Sequence, residues 1–343
     1  MTPVSDNPDR TTPRVSPIGV VGAVLGVLLF AYTLRQTGLA PIGEGIRRVG
    51  LGLIVIVVLA GLRFATRAWA WVLCDETPGG LRLRDTFPAL LAGDAAGNLT
   101  PLGVFVSEPM KAALVRHRVT LMSALSGIAV ENLFYLLTVA LVIAAGTAAL
   151  LFEFDVPRTL RTASLVGLTL VAGVVLASGL VLGRQWKLVS GAIAWLHRRD
   201  VGPSALRVRL EKLRTLEDSV YGFHQRHPHR AAPILLLELA FHALGVVEVW
   251  ITLVLLLGGA APGLLTTFIL EAVNRTIMVL FKFVPLRIGV DEAGTELLAR
   301  TLGLGAGVGV TMAIVRKVRM LFWTAVGVVF LVRRGLARQA ARV

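Results

Sequence analysis

Hydrophobic residues along this chain are gathered into long blocks separated by short polar or Gly/Pro-containing stretches. The segment 1–16 is rich in Pro, Asp and Thr and reads as a disordered tail. An apolar stretch follows at 17–34, and without a small-x-small cleavage site it reads as a retained helix rather than a removed signal peptide. Further blocks lie at 50–73, 121–152, 160–183, 231–257, 263–284 and 304–332. About 20 apolar residues at 1.5 Å each cross the ~30 Å hydrocarbon core of a bilayer, and each block approaches or exceeds that length. Two intervening stretches, about 86–118 and 285–303, are apolar but interrupted by Gly and Pro. They read as broken or re-entrant helices, which are tolerated at membrane depth only where protein or water surrounds the unpaired backbone. The expected fold is an all-α integral membrane protein: a polytopic helical bundle of roughly seven to nine membrane segments, with two broken or re-entrant segments.

An internal repeat runs through this pattern. Pro101-Leu102-Gly103-Val104-Phe105-Val106-Ser107-Glu108 resembles Pro285-Leu286-Arg287-Ile288-Gly289-Val290-Asp291-Glu292 at an offset of 184, and Leu114 and Arg116 then align with Leu298 and Arg300. After each copy comes a long apolar span with a polar pair, Glu131-Asn132 in the first and Arg316-Lys317 in the second. Interrupted segments at corresponding positions of two halves locate substrate sites in transporters, near the midplane at the repeat interface. The organisation is therefore a first membrane half over 17–183, a basic amphipathic linker over 184–230, a second membrane half over 231–332 and a basic tail over 333–343. Whether 86–118 and 285–303 cross or re-enter, and so whether the repeats are parallel or inverted, the pattern leaves open.

Composition agrees with a bilayer as solvent. Hydrophobic residues make up 55% of the chain, charged residues only 16%, and the mean hydropathy is +0.75. Cys74 is the sole cysteine, so no internal disulfide forms and a secreted disulfide scaffold is excluded. The net charge of +14 would suggest nucleic acid in a soluble protein. Here the bases sit between and after the apolar blocks, with ten Lys/Arg against four Asp/Glu in 184–230 and Arg333, Arg334, Arg338 and Arg342 in the tail. That distribution marks cytoplasmic segments and contact with anionic lipid headgroups, with no nucleic acid among the partners. Within the linker, Leu206, Leu210, Leu213, Val220 and Phe223 recur at helical spacing, as in a helix lying at the interface or covering the cytoplasmic ends of the bundle.

A charge at the centre of a spanning helix costs about 2.5–3.5 kcal/mol on insertion scales and faces an interior or a water-filled cavity. This chain has many: Glu131; Glu238, His242 and Glu248; Glu271, Asn274 and Arg275; Arg316, Lys317 and Arg319; and, in the broken segments, Lys111, Lys282, Arg287, Asp291, Glu292 and Glu296. Glu271 and Arg275 have the spacing and order of a helical ion pair. The bases at 316–319, with Glu131 and Glu292 as available counter-charges, suggest a polar cavity. Lys and Arg donors beside apolar walls suit an amphiphile with an anionic head.

Other patterns carry less. His224, His227 and His229 have no metal-site companions, and Glu238 with His242 lacks the second His of a zincin. Asp291, Glu292 and Glu296 have the chemistry to hold a hard cation, but Arg287 and Arg300 stand beside them as neutralising bases. The glycines at 303, 305, 307 and 309 follow no strand and read as helix-packing residues.

Gly93-Asp94 to Lys111, with Asn98, Pro101, Glu108 and Glu131-Asn132, resembles the first motif block of the lysylphosphatidylglycerol synthase transmembrane region, a flippase-like membrane family. Pro285 to Glu292, Gly303-Leu304 and Arg316 resemble its second block, and the likeness covers roughly 17–332. In multidomain relatives such a region translocates an aminoacylated phospholipid made by an attached synthase domain. The short tail here leaves no room for that domain, so aminoacyl transfer is expected to be absent. Val104-Phe105-Val106 departs from the usual Gly-rich first block and leaves the headgroup open.

The resulting expectation is a stand-alone lipid translocase of the bacterial cytoplasmic (inner) membrane, multi-pass, with a cytoplasmic C-terminus. It moves a phospholipid or polyprenyl-linked headgroup between leaflets. Asn98, Glu108, Lys111, Glu131, Asn132, Glu271, Arg275, Lys282, Arg287, Asp291, Glu292, Arg316 and Lys317 are the candidate substrate-binding residues. No catalytic residue, metal ligand or cofactor is assigned. Two alternatives stand beside it: a membrane-embedded enzyme acting on a lipid phosphate through Asp291, Glu292 or Glu296, and a non-transporting partner of a lipid-synthesis enzyme.

Overall fold

The computed structural model describes residue 35 and residues 39–99, 103–156, 158–183, 217–260, 262–281 and 287–340, and every regular element among them is a helix. The expected helix at 17–34, most of the 184–230 linker, Pro101, Pro285 and Lys282 lie outside the described residues. In chain order the helices are α1 (Leu39–Val49), α2 (Gly52–Cys74), α3 (Leu83–Leu99), α4 (Val104–Leu114), α5 (Leu121–Glu153) and α6 (Arg158–Gly183). A helical segment at 217–226 leads into α7 (Pro228–Leu256), followed by α8 (Leu264–Leu280), α9 (Val290–Thr301) and α10 (Val308–Ala340). Three of them, α2, α5 and α7, are long and apolar enough to cross a membrane.

The long helices start where the sequence supplies a terminus. Thr120 caps α5 by accepting a hydrogen bond from the Ser123 amide at 3.1 Å. Pro228, which has no amide hydrogen to leave unpaired, opens α7. Pairing of α2 with α7 is antiparallel: Gly52 at the start of α2 meets Leu255 near the end of α7, while Arg230 at the start of α7 donates to the Leu73 and Asp75 carbonyls at the end of α2.

These contacts define two ends of the bundle. At one, here the linker end, Arg226 of the helical segment 217–226 bridges to Glu76 at 2.9 Å. At the other, the far end, Val49, Ile56, Leu150, Leu253, Leu256, Leu298 and Met312 form an apolar cluster.

Between the long helices lie two helical hairpins. The first begins at the linker end, where Asp75 accepts hydrogen bonds from the Thr77 and Leu81 amides and Thr86 donates to the Ala68 carbonyl. Helix α3 runs inward until Asn98 donates to Thr324, near the middle of α10. Helix α4 then returns to the same end, where Leu114, Val115 and Val119 pack with Trp71, Leu81 and Ala124. Gly97 and Gly103 bring the two helices together so closely that a Cβ on Gly103 would overlap the Gly97 carbonyl.

The second hairpin mirrors the first from the far end. Helix α8 begins beyond the end of α7 and runs inward; α9 returns, and Glu296 in its middle accepts from the amides of Gly307 and Val310 at the start of α10. The sequence pattern predicts a full crossing at 263–284, whereas α8 has 17 residues, about 25 Å, and is the inward arm of this hairpin. The two sets of elements match in length: 23, 17, 11 and 33 residues for α2 to α5, and 29, 17, 12 and 33 for α7 to α10. They run in opposite directions through the bundle.

Each inward arm packs on the last long helix of the other set, α3 on α10 and α8 on α5. Both crossings use glycine. A Cβ on Gly327 would collide with the Leu91 carbonyl and Ala95, and one on Gly146 with Ala272. The described inner ends of the two hairpins consequently meet along α10, with Asn98 at Thr324 and Arg287 at Met320, one helical turn apart.

Candidate functional site

The polar side chains of the membrane segments converge where the hairpins meet. On the second hairpin, Arg287 (φ 50°) and Gly289 (φ 85°) turn the chain into α9. Gly289 donates its amide to Glu292 at 2.7 Å, so the acid caps the helix it begins. The other Glu292 oxygen accepts from Lys317 at 2.5 Å. Its neighbour Arg316 donates to Asp291 and to Thr295, both at 2.7 Å.

A ladder of alternating charges continues from there through four helices. Arg275 pairs with Glu271 one turn earlier on α8, at 2.9 Å from Nε. Arg63 of α2 lies 3.6 Å from Glu271 and donates to Glu248 of α7 at 2.8 Å. Arg319 of α10 completes the ladder on the second Glu248 oxygen. The Phe241 ring lies under two of these guanidinium groups, 4.5 Å from Arg63 and 4.9 Å from Arg275. Gly245 leaves the room that the ladder occupies, since a Cβ there would come within 2.6 Å of a Glu271 oxygen.

The first hairpin carries a separate, acid-rich group. Lys111 of α4 bridges Asp94 of α3 at 2.8 Å and Glu108 at 3.2 Å. Arg67 grips Glu131 of α5 with two hydrogen bonds of 2.8 and 3.0 Å and reaches Asn132 at 3.3 Å, its guanidinium 4.1 Å from the Tyr135 ring centre. His242 meets Thr138 at 3.2 Å and stacks on Tyr135.

The structure therefore sorts the sequence candidates into two groups. Glu271, Arg275, Arg287, Asp291, Glu292, Arg316 and Lys317 gather at the second hairpin; Asn98, Glu108, Lys111, Glu131 and Asn132 belong to the first; Lys282 lies outside the described residues. Glu131, expected as a counter-charge for the bases at 316–319, is taken by Arg67 instead, because α2 packs against α5 there. Arg300 does neutralise Glu296, at 2.8 Å, but Asp291 and Glu292 are paired with Arg316 and Lys317, which α10 places opposite the first turn of α9.

Sequence reasoning passed over Arg63 and Arg67, which sit in the block at 50–73. Both are charges inside a crossing, so the criterion that found Glu131 would have found them. Two cavities, of about 210 and 200 Å³, open at opposite ends of the bundle. Cys74, Glu76, Ser123 and Val130 line the one at the linker end, and Glu44, Arg48, Leu256 and Thr311 the one at the far end.

The sequence model of the lysylphosphatidylglycerol synthase TM region matches residues 19–327. The chain belongs to this family. Comparison with curated proteins and with solved structures gives no match. Family membership and three crossing-length apolar helices make this lysylphosphatidylglycerol synthase TM-region protein a multi-pass membrane protein of a lipid-related family.

Around the second hairpin of this family member six bases, Arg63, Arg275, Arg287, Arg316, Lys317 and Arg319, face four acids, Glu248, Glu271, Asp291 and Glu292. The excess is borne by donors without acceptors. Nε of Arg63, Arg287 and Arg316 has no hydrogen-bonding partner among the described residues, and Arg287 forms no ion pair there; it donates only weakly, to the Met320 sulfur at 3.9 Å. Buried donors of this kind are costly to leave unmade, and their chemistry suits the oxygen acceptors of an anion.

Proposed function

We propose that the protein is a lipid translocase that moves a phospholipid or polyprenyl-linked lipid with an anionic headgroup between leaflets, the headgroup passing where the two hairpin tips meet. The observation that carries this reading is the surplus of buried guanidinium donors at the second hairpin. An anionic headgroup completes their hydrogen bonds and balances their charge, which no apolar lipid tail can do.

The two cavities support the route. Each opens at one end of the bundle, and the charge ladder lies between them. Opening the ladder towards one cavity at a time would expose the same bases to either leaflet in turn. The matched, oppositely running sets α2–α5 and α7–α10 support an inverted duplication, the arrangement in which such rocking has equivalent end states. Seven to nine membrane segments follow if the hairpins and the stretch at 17–34 are counted with the long helices.

The linker end is rich in bases, with Arg82, Arg84, Arg116, Arg118, Arg226, Arg230 and Arg333. Under the positive-inside rule this end, and with it the C-terminus, belongs in the cytoplasm. The test is reconstitution into liposomes with headgroup-labelled lipids. Protein-dependent exchange of phosphatidylglycerol between leaflets without chemical change is the expected result. Chemical alteration of the labelled lipid would favour an enzyme instead, and neither change would favour a binding partner.

A further inference from the structure

Glu238 stands apart from both charged groups described above. It lies on α7 at 0% exposure, and neither carboxylate oxygen is reached by a donor among the described residues. The layer of α5 packed beside it carries another carboxylate: Val130 and Phe134 pack with Ile234 and Leu237, and Tyr135 with Phe241 and His242, which sets Glu131 next to Glu238. Both Glu131 oxygens already accept from Arg67. Two acceptors facing each other repel unless one carries a proton, and a bare carboxylate without a donor in a membrane interior is costly.

Among the described residues no other base pairs with Glu238, and Lys111 of α4, the second base near Glu131, is held by Asp94 and Glu108. From α2, Arg67 is committed to Glu131. From α7 itself, His242 is turned to Thr138 of α5. The charges of α8 and α10 that face α7, Glu271, Arg275 and Arg319, belong to the ladder around Glu248, and Arg48 of α1 reaches only the C-terminal carbonyl of Leu256. Solvent approaches from the linker end. The cavity at the linker end is lined by Val130, next to Glu131, and by Phe223, which packs on Ile234 one turn before Glu238.

Resting on the translocase reading, we propose that Glu238 and Glu131 share one proton and that this proton crosses the membrane together with the anionic headgroup. Arg67, which holds Glu131, lies one turn from Arg63 on the same helix, and both guanidinium groups contact the Phe241 ring. An anion arriving at Arg63 lowers the local potential and favours the proton on Glu238; loss of the proton to solvent in the linker-end cavity disfavours the anion. The two affinities are reciprocal by linkage. One proton with one monoanionic headgroup moves no net charge.

The experiment uses the full chain in liposomes with headgroup-labelled phosphatidylglycerol and an imposed pH gradient, alongside infrared spectroscopy of the protein. With one proton per lipid, a gradient of one pH unit shifts the leaflet ratio about tenfold, with lipid accumulating on the side to which protons flow. At neutral pH the protein shows a protonated-carboxyl band that Glu238→Gln removes, and that variant exchanges lipid without response to the gradient.

Exchange by the unmodified protein that ignores the gradient overturns the coupling and leaves the translocase reading standing. Absence of the band, or its persistence in Glu238→Gln, overturns the shared proton whatever the transport result. Absence of exchange overturns both readings. Should Glu238→Gln fail to fold, the response of the unmodified protein to the gradient and its carboxyl band decide the matter.

Discussion

Arg63 and Glu248 form a buried ion pair of 2.8 Å between antiparallel helices whose partners are 185 residues apart in sequence. It ties the first set of helices to the second at the centre of the charge ladder. In hydrocarbon surroundings a pair of this kind contributes little net stability, but breaking it strands a charge.

Arg63→Ala therefore leaves the Glu248 and Glu271 carboxylates one donor short and is expected to destabilise the protein by about 3–5 kcal/mol. Combining it with Glu248→Gln should recover part of that loss. Thermal unfolding in detergent measures both. Equal stability of Arg63→Ala and the unmodified protein would show that the pair is not buried as described.

Packing at the α3/α10 crossing gives a steric prediction. A side chain at Gly327 meets backbone, the Leu91 carbonyl, which cannot swing away, so Gly327→Val should cost about 1–3 kcal/mol and lower the unfolding temperature. The control is Gly167→Val on α6, where a Cβ meets nothing within 4 Å and no comparable loss is expected. Similar effects of the two substitutions in the same unfolding assay would remove the crossing from the account.

Opposed hairpins make a topological prediction. With Cys74→Ala as background, cysteines replacing Arg84 and His117 should react with an impermeant reagent from one side of the membrane, and those replacing Leu264 and Thr301 from the other. Asn98→Cys and Thr324→Cys together should form a disulfide, since the side chains they replace meet at 3.1 Å. Labelling of Arg84→Cys and His117→Cys from opposite sides would mean that the first hairpin crosses instead of returning.

Much of this was legible in the sequence, for a physical reason in each case. The blocks at 121–152 and 231–257 became α5 and α7 nearly residue for residue, because uninterrupted apolar runs of that length have one stable form in a bilayer. Helix α1 escaped notice because its 11 residues mix Glu44, Arg47 and Arg48 with few apolar positions. Helix α8 was read as a crossing because Glu271, Asn274 and Arg275 do not interrupt its hydrophobicity, and only the packed structure shows where it stops.

The Glu271–Arg275 pair follows from spacing on one helix. Partners from different helices do not: nothing local in the sequence assigns Glu131 to Arg67 or Glu248 to Arg63 and Arg319. Tertiary packing decides those.

The central claim, that an anionic headgroup is bound by the unmatched bases at the hairpin tips, is tested most directly at Arg287. This residue forms no ion pair with an acid among the described residues, and its acidic neighbour Asp291 keeps Arg316 and Lys317, so its removal strands no carboxylate and should leave the fold intact, unlike loss of Arg275 or Arg316. The measurement is the rate of leaflet exchange of headgroup-labelled phosphatidylglycerol in liposomes, for the unmodified protein and for Arg287→Gln, with unfolding temperature recorded for both. Loss of one charge-assisted hydrogen bond of about 1.5–3 kcal/mol corresponds to a fall in exchange of roughly ten- to a hundredfold. Exchange should fall by that factor at unchanged stability; exchange at the unmodified rate by a well-folded Arg287→Gln protein would mean that Arg287 binds no headgroup.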